Sequence, residues 1–176
     1  VLKALFLGFF CCCELQAGDE EKEPLAIKKE KILFALKEVH PSSRELAPAV
    51  ENGEKMAPPG YKLIIMTSTD VKGKKHREPL LLSRRNIVSA DAIEAVRATG
   101  RLGEIAVRLT KSGGERVANS SGKMNFGRDR IAVIYEDRCL IAPTVQAKLS
   151  RDFVINGLDG KKEVDSVLKA LNAAIK

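Results

Sequence analysis

The sequence predicts an α+β domain, a small and mostly antiparallel sheet with helices packed on one face. Three observations carry that expectation. Val164, Val167, Leu168, Leu171 and Ile175 recur at helical spacing near the C-terminus, an apolar stripe that needs a sheet to cover it. Ile105, Val107 and Leu109 alternate with Ala106 and Arg108, the period of a strand with one buried face. Residues 130–135, RIAVIY, form a strongly apolar strand that Glu136, Asp137 and Arg138 turn back into residues 139–142, a β-hairpin closed by Pro143.

The other elements follow in chain order. Residues 32–39, ILFALKEV, read as a strand ended by His40-Pro41-Ser42-Ser43, because Pro breaks the ladder and Ser favours turns. Residues 45–50 fit one helical turn, and Asn52-Gly53 and Pro58-Pro59-Gly60 are loop signals. Residues 61–67, YKLIIMT, read as a second strand. The basic stretch 72–77 reads as an exposed turn. Residues 78–82, EPLLL, make a third strand that Pro79 confines to an edge or a strand start. Ser89, with Asp91 and Glu94 at the positive dipole end, predicts a helix running through Ile93 and Val96 to Gly100. Thr110 is placed to cap a second helix over 111–123, weakened by Gly113, Gly114 and Gly122. Residues 153–156 are a short strand, and the clearest helix spans 157–176 with Asp159 as its cap.

The N-terminus reads as an address. One cation, Lys3, precedes about ten apolar residues ending at Cys11-Cys12-Cys13, and a small-residue exit follows at Ala17-Gly18. That run is shorter than the roughly 20 apolar residues a bilayer span needs. Residues 1–17 are expected as a signal peptide and 18–31 as a charged linker. Cleavage after Ala17 competes with lipidation at a Cys, for which Phe9 and Phe10 make a poor recognition box. An exported, extracytoplasmic protein is expected, with peripheral or lipid-anchored membrane association as the further option.

Composition excludes more than it names. Apolar residues make up 44 % and charged residues 30 %, which argues against wholesale disorder. The net charge of +7 favours anionic partners without choosing among them. Aromatic residues are only 5 % with no Trp, so a nucleic-acid binder built on stacking is not expected. His40 and His76 stand apart, without carboxylate or Cys at metal-ligand spacing, and Cys139 has no partner once the leader is gone. Ser121-Gly122-Lys123 resembles the end of a phosphate loop, but Val117 stands where its first Gly should be and Met124 where Ser or Thr should hold magnesium. The aspartates fall in caps and turns. No catalytic residue, metal or cofactor is expected.

Five segments, read together, resemble one family. These are PPGY at 58–61, REPLLL at 77–82, IVSADAIEAV at 87–96, the long stretch from Val107 to Val145, and FVINGLDGKKEVDSVLKALNAA at 153–174. Their order and spacing resemble the periplasmic head region of the SecD and SecDF protein-export subunits, over residues 32–174. Two departures stand out. Arg138 follows Asp137 where the family has Gly, which predicts a wider hairpin turn, and Gly113-Gly114 replace better helix formers. The transmembrane helices of SecD are not among these segments, so proton-driven translocation is not carried over.

The resemblance implies a head-like fold of ferredoxin-like flavour, with residues 32–85 as an N-terminal arm and 86–176 as the head. It also implies capture of unfolded or exported polypeptide, with Sec translocon components as further candidate partners. An edge strand can accept another strand through main-chain hydrogen bonds. The expected edge is formed by Ile131, Val133, Tyr135 and Leu140 of the hairpin and by Phe153 and Ile155 of the short strand. The competing readings are a basic binder of an anionic surface or nucleic acid, using 28–31 and 72–85, and an enzyme with an unrecognised site.

Overall fold

The computed structural model describes residues 34–69 and 74–175. The expected signal peptide and linker, and the cysteines at 11–13, lie outside the described residues. The chain runs through β1 (Phe34–Glu38), α1 (Ser43–Glu51), β2 (Tyr61–Thr69), β3 (Lys75–Ser83), β4 (Val88–Ser89) and a 3-10 turn (Ala90–Ala92). It continues through β5 (Ile93–Ala98), β6 (Ile105–Leu109), α2 (Lys111–Ser121), β7 (Ile131–Tyr135), β8 (Arg138–Ile141), β9 (Asp152–Ile155) and α3 (Gly160–Ala174). The class is the α+β expected, and every strand pairing is antiparallel. The strands are divided among three sheets, ordered β4-β1-β7-β8, β2-β3 and β5-β6-β9.

The four-stranded sheet separates two cores, and strand alternation decides which residue enters which. Phe34 and Leu36 of β1 and Ile131, Val133 and Tyr135 of β7 face the larger core. There they meet the inner face of β5-β6-β9 and the α3 ridge of Val164, Val167 and Leu171, with Leu168 partly buried beside them. Ala35 and Val39, with Ala132 and Ile134, face the smaller core, which the β2-β3 ribbon closes with Leu80 and Leu82. Covered on both faces, β7 is buried at all five positions, which is why RIAVIY reads as nearly continuous apolar sequence. The strand β1 lies between β4 and β7, so the segment expected as an arm supplies a central strand to the head's own sheet.

Four local expectations are corrected. The helix expected from Ser89 is a 3-10 turn followed by strand β5. A bulge between Ile93 and Ala95 breaks the alternation, so the buried residues Ile93 and Val96 fall three apart and imitate a helical stripe. The hairpin turn is not wider. Glu136 and Asp137 both adopt positive φ (47° and 63°) and Tyr135 pairs directly with Arg138, a tight two-residue turn without glycine. Lys75, His76 and Arg77 belong to the nine-residue strand β3 and not to a turn. The helix α1 has nine residues instead of one turn.

Two expectations about individual residues gain a physical cause. Pro79 sits in β3, which pairs only with β2, and its missing N–H costs no ladder bond on that outer edge. Further along the same edge, the Leu81 amide donates to Ser43 Oγ at 2.8 Å and the Leu81 carbonyl accepts from the His40 amide at 2.8 Å, so α1 and the end of β1 cover it. Thr110 caps α2 as expected, its Oγ1 accepting from the Gly113 amide at 3.1 Å. Asp159 does not cap α3 with its side chain; its amide donates to Glu163 Oε2 at 2.5 Å.

Candidate functional site: open strand edges

Strand addition needs main-chain groups that no neighbour already holds. By that requirement the six expected residues divide. Ile131, Val133 and Tyr135 lie on β7, bonded to β1 on one side and β8 on the other, so they present no edge. Their side chains are core residues. Leu140 lies on β8, an edge of its sheet, and Phe153 and Ile155 lie on β9, an edge of the three-stranded sheet. The side chains of Leu140 and Phe153 are partly buried and that of Ile155 is buried.

The geometry of β9 can be derived residue by residue. The Leu109 amide donates to the Arg151 carbonyl at 2.9 Å, which makes that pair a hydrogen-bonded one. Alternation then turns the backbone of Phe153 and Ile155 toward Val107 and Ile105 of β6, and that of Asp152 and Val154 outward. Ser150 Oγ bonds the Asp152 carbonyl at 3.2 Å, leaving Val154 as the centre of the open edge. The Val154 side chain is 50 % exposed. It borders a shallow groove of about 380 Å³ with Ala106 on β6 and Arg97 on β5. Arg108 and Asp152 form an ion pair of 2.6 Å across the floor, and Arg151 pairs with Glu94 nearby. The start of β9 is fixed from behind by α2, where a Cβ on Gly114 would stand 3.0 Å from Arg151 Cβ.

Strand β8 borders a second groove of about 600 Å³, whose far wall is β2 through Ile64, Ile65 and Ser68. Arg138 at the start of β8 reaches Glu163 of α3 at 2.6 Å. Burial pushes the Glu163 carboxyl up, but the Asp159 amide and Arg138 outweigh it and hold the group below its ordinary value. Cys139 lies buried in the wall of this groove, and burial pushes its thiol up to about 12, so it is no nucleophile at neutral pH.

The sequence reading missed Val154, whose exposure depends on β9 being last in its sheet. It also missed the β2 edge, since β2 pairs only with β3. The apolar, β-prone run in YKLIIMTST marks β2 as a strand, but pairing order is not written in one strand.

Fold and edges together define a small α+β domain that presents strand edges above shallow grooves. The chain belongs to the SecDF P1 head subdomain family, whose profile matches residues 65–175. Two solved structures are similar. One is SecDF in a super-membrane-facing form, at 14 % identity and a TM-score of 0.52, covering 80 % of this chain and 18 % of that one. The other is described as a membrane component SecDF that enhances protein export, at 16 % identity and a TM-score of 0.53, covering 81 % and 63 %. The chain thus spans less than a fifth of the first and under two thirds of the second. No curated protein matches the sequence. Among the described residues no helix is long and apolar enough to cross a membrane.

Proposed function

We propose that this protein is a non-catalytic polypeptide-binding module of the export machinery. It takes an extended segment as an added strand on the outer edge of β9. One observation carries the reading: the backbone of Val154 points outward from an edge strand beside an open groove. The family relation supports an export context, and one similar structure is described as enhancing protein export. Main-chain pairing suits clients of varied sequence, because it reads backbone and not side chains. The floor of Ala106 and Val154 leaves room for alternate client side chains. An extracytoplasmic location, with residues 1–17 as the export signal, belongs to the same proposal.

The test is binding of a permanently unfolded polypeptide, reduced and carboxymethylated α-lactalbumin, followed by fluorescence anisotropy. Val154→Pro removes an outward N–H while leaving the β6 ladder intact. Its binding is expected to weaken by about tenfold, the value of roughly one main-chain bond with its neighbours. Unchanged binding by a folded Val154→Pro protein overturns the β9 edge as the site.

A further inference from the structure

The charge of this chain is segregated. Between Tyr61 and Arg85 the sequence holds seven lysines and arginines against Asp70 and Glu78. That stretch therefore carries most of the net +7. Lys74, Lys75, His76 and Arg77 are all exposed on the distal half of the ribbon. The proximal half is pinned to the four-stranded sheet by Leu80 and Leu82. The distal half is thus a basic arm, tied to α1 by the ion pair of Arg77 with Glu51 at 2.9 Å.

A second feature stands at the same end of the molecule. Lys75 and Ser68 of the ribbon line the β2-β8 groove together with Leu158. The β5-β6 turn packs on Leu158, its amide donating to the Gly103 carbonyl at 3.2 Å. The contact is so close that a Cβ on Gly103 would lie 2.5 Å from the Leu158 carbonyl oxygen. That turn holds Leu102 at its tip, 83 % exposed, beside exposed Arg101. Lys161 and Lys162 at the start of α3 are exposed beyond the same groove. Acidic groups are present too. Asp137 and Asp159 line the groove wall, while Glu163 is paired with Arg138.

We propose that this end of the molecule docks on an anionic phospholipid surface, with the ribbon's lysines and arginine on the headgroups and Leu102 inserted among them. A rigid apolar tip beside exposed cations is the arrangement an interfacial site requires, since electrostatic attraction and a small buried apolar area add. An isolated leucine so exposed on a fixed turn has no packing role in the fold. Nucleic acid fits less well, because residues 66–78 contain no Phe, Tyr or Trp on which a base could stack. This inference does not rest on polypeptide capture at β9, which lies on a different sheet edge.

The test is co-flotation of the full chain with phosphatidylcholine vesicles, with and without phosphatidylglycerol, in low and high salt. Binding is expected only with phosphatidylglycerol and is expected to fall with salt. Changing Lys74, Lys75 and Arg77 to Gln should weaken it about 100-fold. Leu102→Ser, which alters no packed side chain, should weaken it roughly tenfold. Equal binding to both vesicle types, no binding to either, or an unaffected triple variant overturns the proposal. So does duplex or single-stranded DNA displacing the vesicles at equal charge concentration. Polypeptide binding measured on the same variants separates this site from the β9 edge, because it should be unchanged.

Discussion

The ammonium group of Lys37 and the carbonyl oxygen of Ser83 stand 3.1 Å apart inside the fold. The same Nζ donates to the Arg84 carbonyl at 3.1 Å. Lys37 is 1 % exposed on the central strand β1, and its partners end β3, so a buried cation ties the ribbon to the main sheet. Both acceptors are main-chain carbonyls and neither is a carboxylate. Burial first, and then the nearby Lys62 charge, lower the Lys37 pKa below 10.5.

Lys37→Met should therefore do two things. At neutral pH it removes the donor for two carbonyls, with an expected loss of about 1–3 kcal/mol. Because the folded pKa lies below the unfolded one, the unfolded chain binds the extra proton between them. The native lysine protein should then gain stability relative to Lys37→Met as pH rises from the folded pKa toward 10.5. Paired urea titrations across alkaline pH measure this, and a constant difference between the two proteins contradicts it.

Gly113 and Gly114 look like poor helix residues, and substitution by Ala should raise helix propensity by about 1 kcal/mol each. The packing argues the other way. A Cβ on Gly113 would stand 2.9 Å from Ala92 Cβ, at the 3-10 turn that follows β4. Gly113→Ala should therefore destabilise by a net 1–2 kcal/mol or so, since overpacking exceeds the propensity gain. Thermal unfolding distinguishes the two signs.

Arg130 joins the base of the β7-β8 hairpin to the ribbon. Its Nη1 and Nη2 reach the two Glu78 oxygens at 2.5 and 3.2 Å, and its Nε reaches the Ala142 carbonyl at 2.6 Å. Both side chains are partly exposed, so solvent screens the pair. A double-mutant cycle of Arg130→Ala and Glu78→Ala should give a coupling of about 1 kcal/mol, decreasing with salt. A coupling near zero in low salt means this ion pair adds nothing to the ribbon's attachment.

Glu163 gives the acid limb. Its folded pKa is depressed, so the stability it contributes is present above 4.5 and lost as pH falls through the folded value. Glu163→Gln should lose most of this at neutral pH and show a flatter decline in acid. The readout is the unfolding midpoint of both proteins from pH 7 down through the carboxylate range.

The parts of the fold legible in the sequence were those whose pattern is local. The α3 ridge, the β6 alternation and the Thr110 cap each follow from a few neighbouring residues, and the structure buries the ridge as expected. What was not legible depends on distant partners. The period of Ile93 and Val96 is helical until β6 and the bulge explain it. Glu136-Asp137 carries no glycine, yet the strand register imposes positive φ on both. The site divided in the same way. Leu140 lies on the edge strand β8 and Phe153 and Ile155 on the edge strand β9, the last two with main-chain groups turned to β6, while Ile131, Val133 and Tyr135 lie on the inner strand β7, which β1 flanks as well as β8.

The central claim is that the outward amide of Val154 is the place where a client chain adds. Amide hydrogen exchange of the full chain, with and without saturating carboxymethylated α-lactalbumin, measures it directly. Val154 N–H is expected to exchange quickly alone and to be strongly protected in the complex, with the already bonded amides of Phe153 and Ile155 changing little. Protection confined to other strands, with Val154 exchanging at the same rate in both samples, contradicts the account.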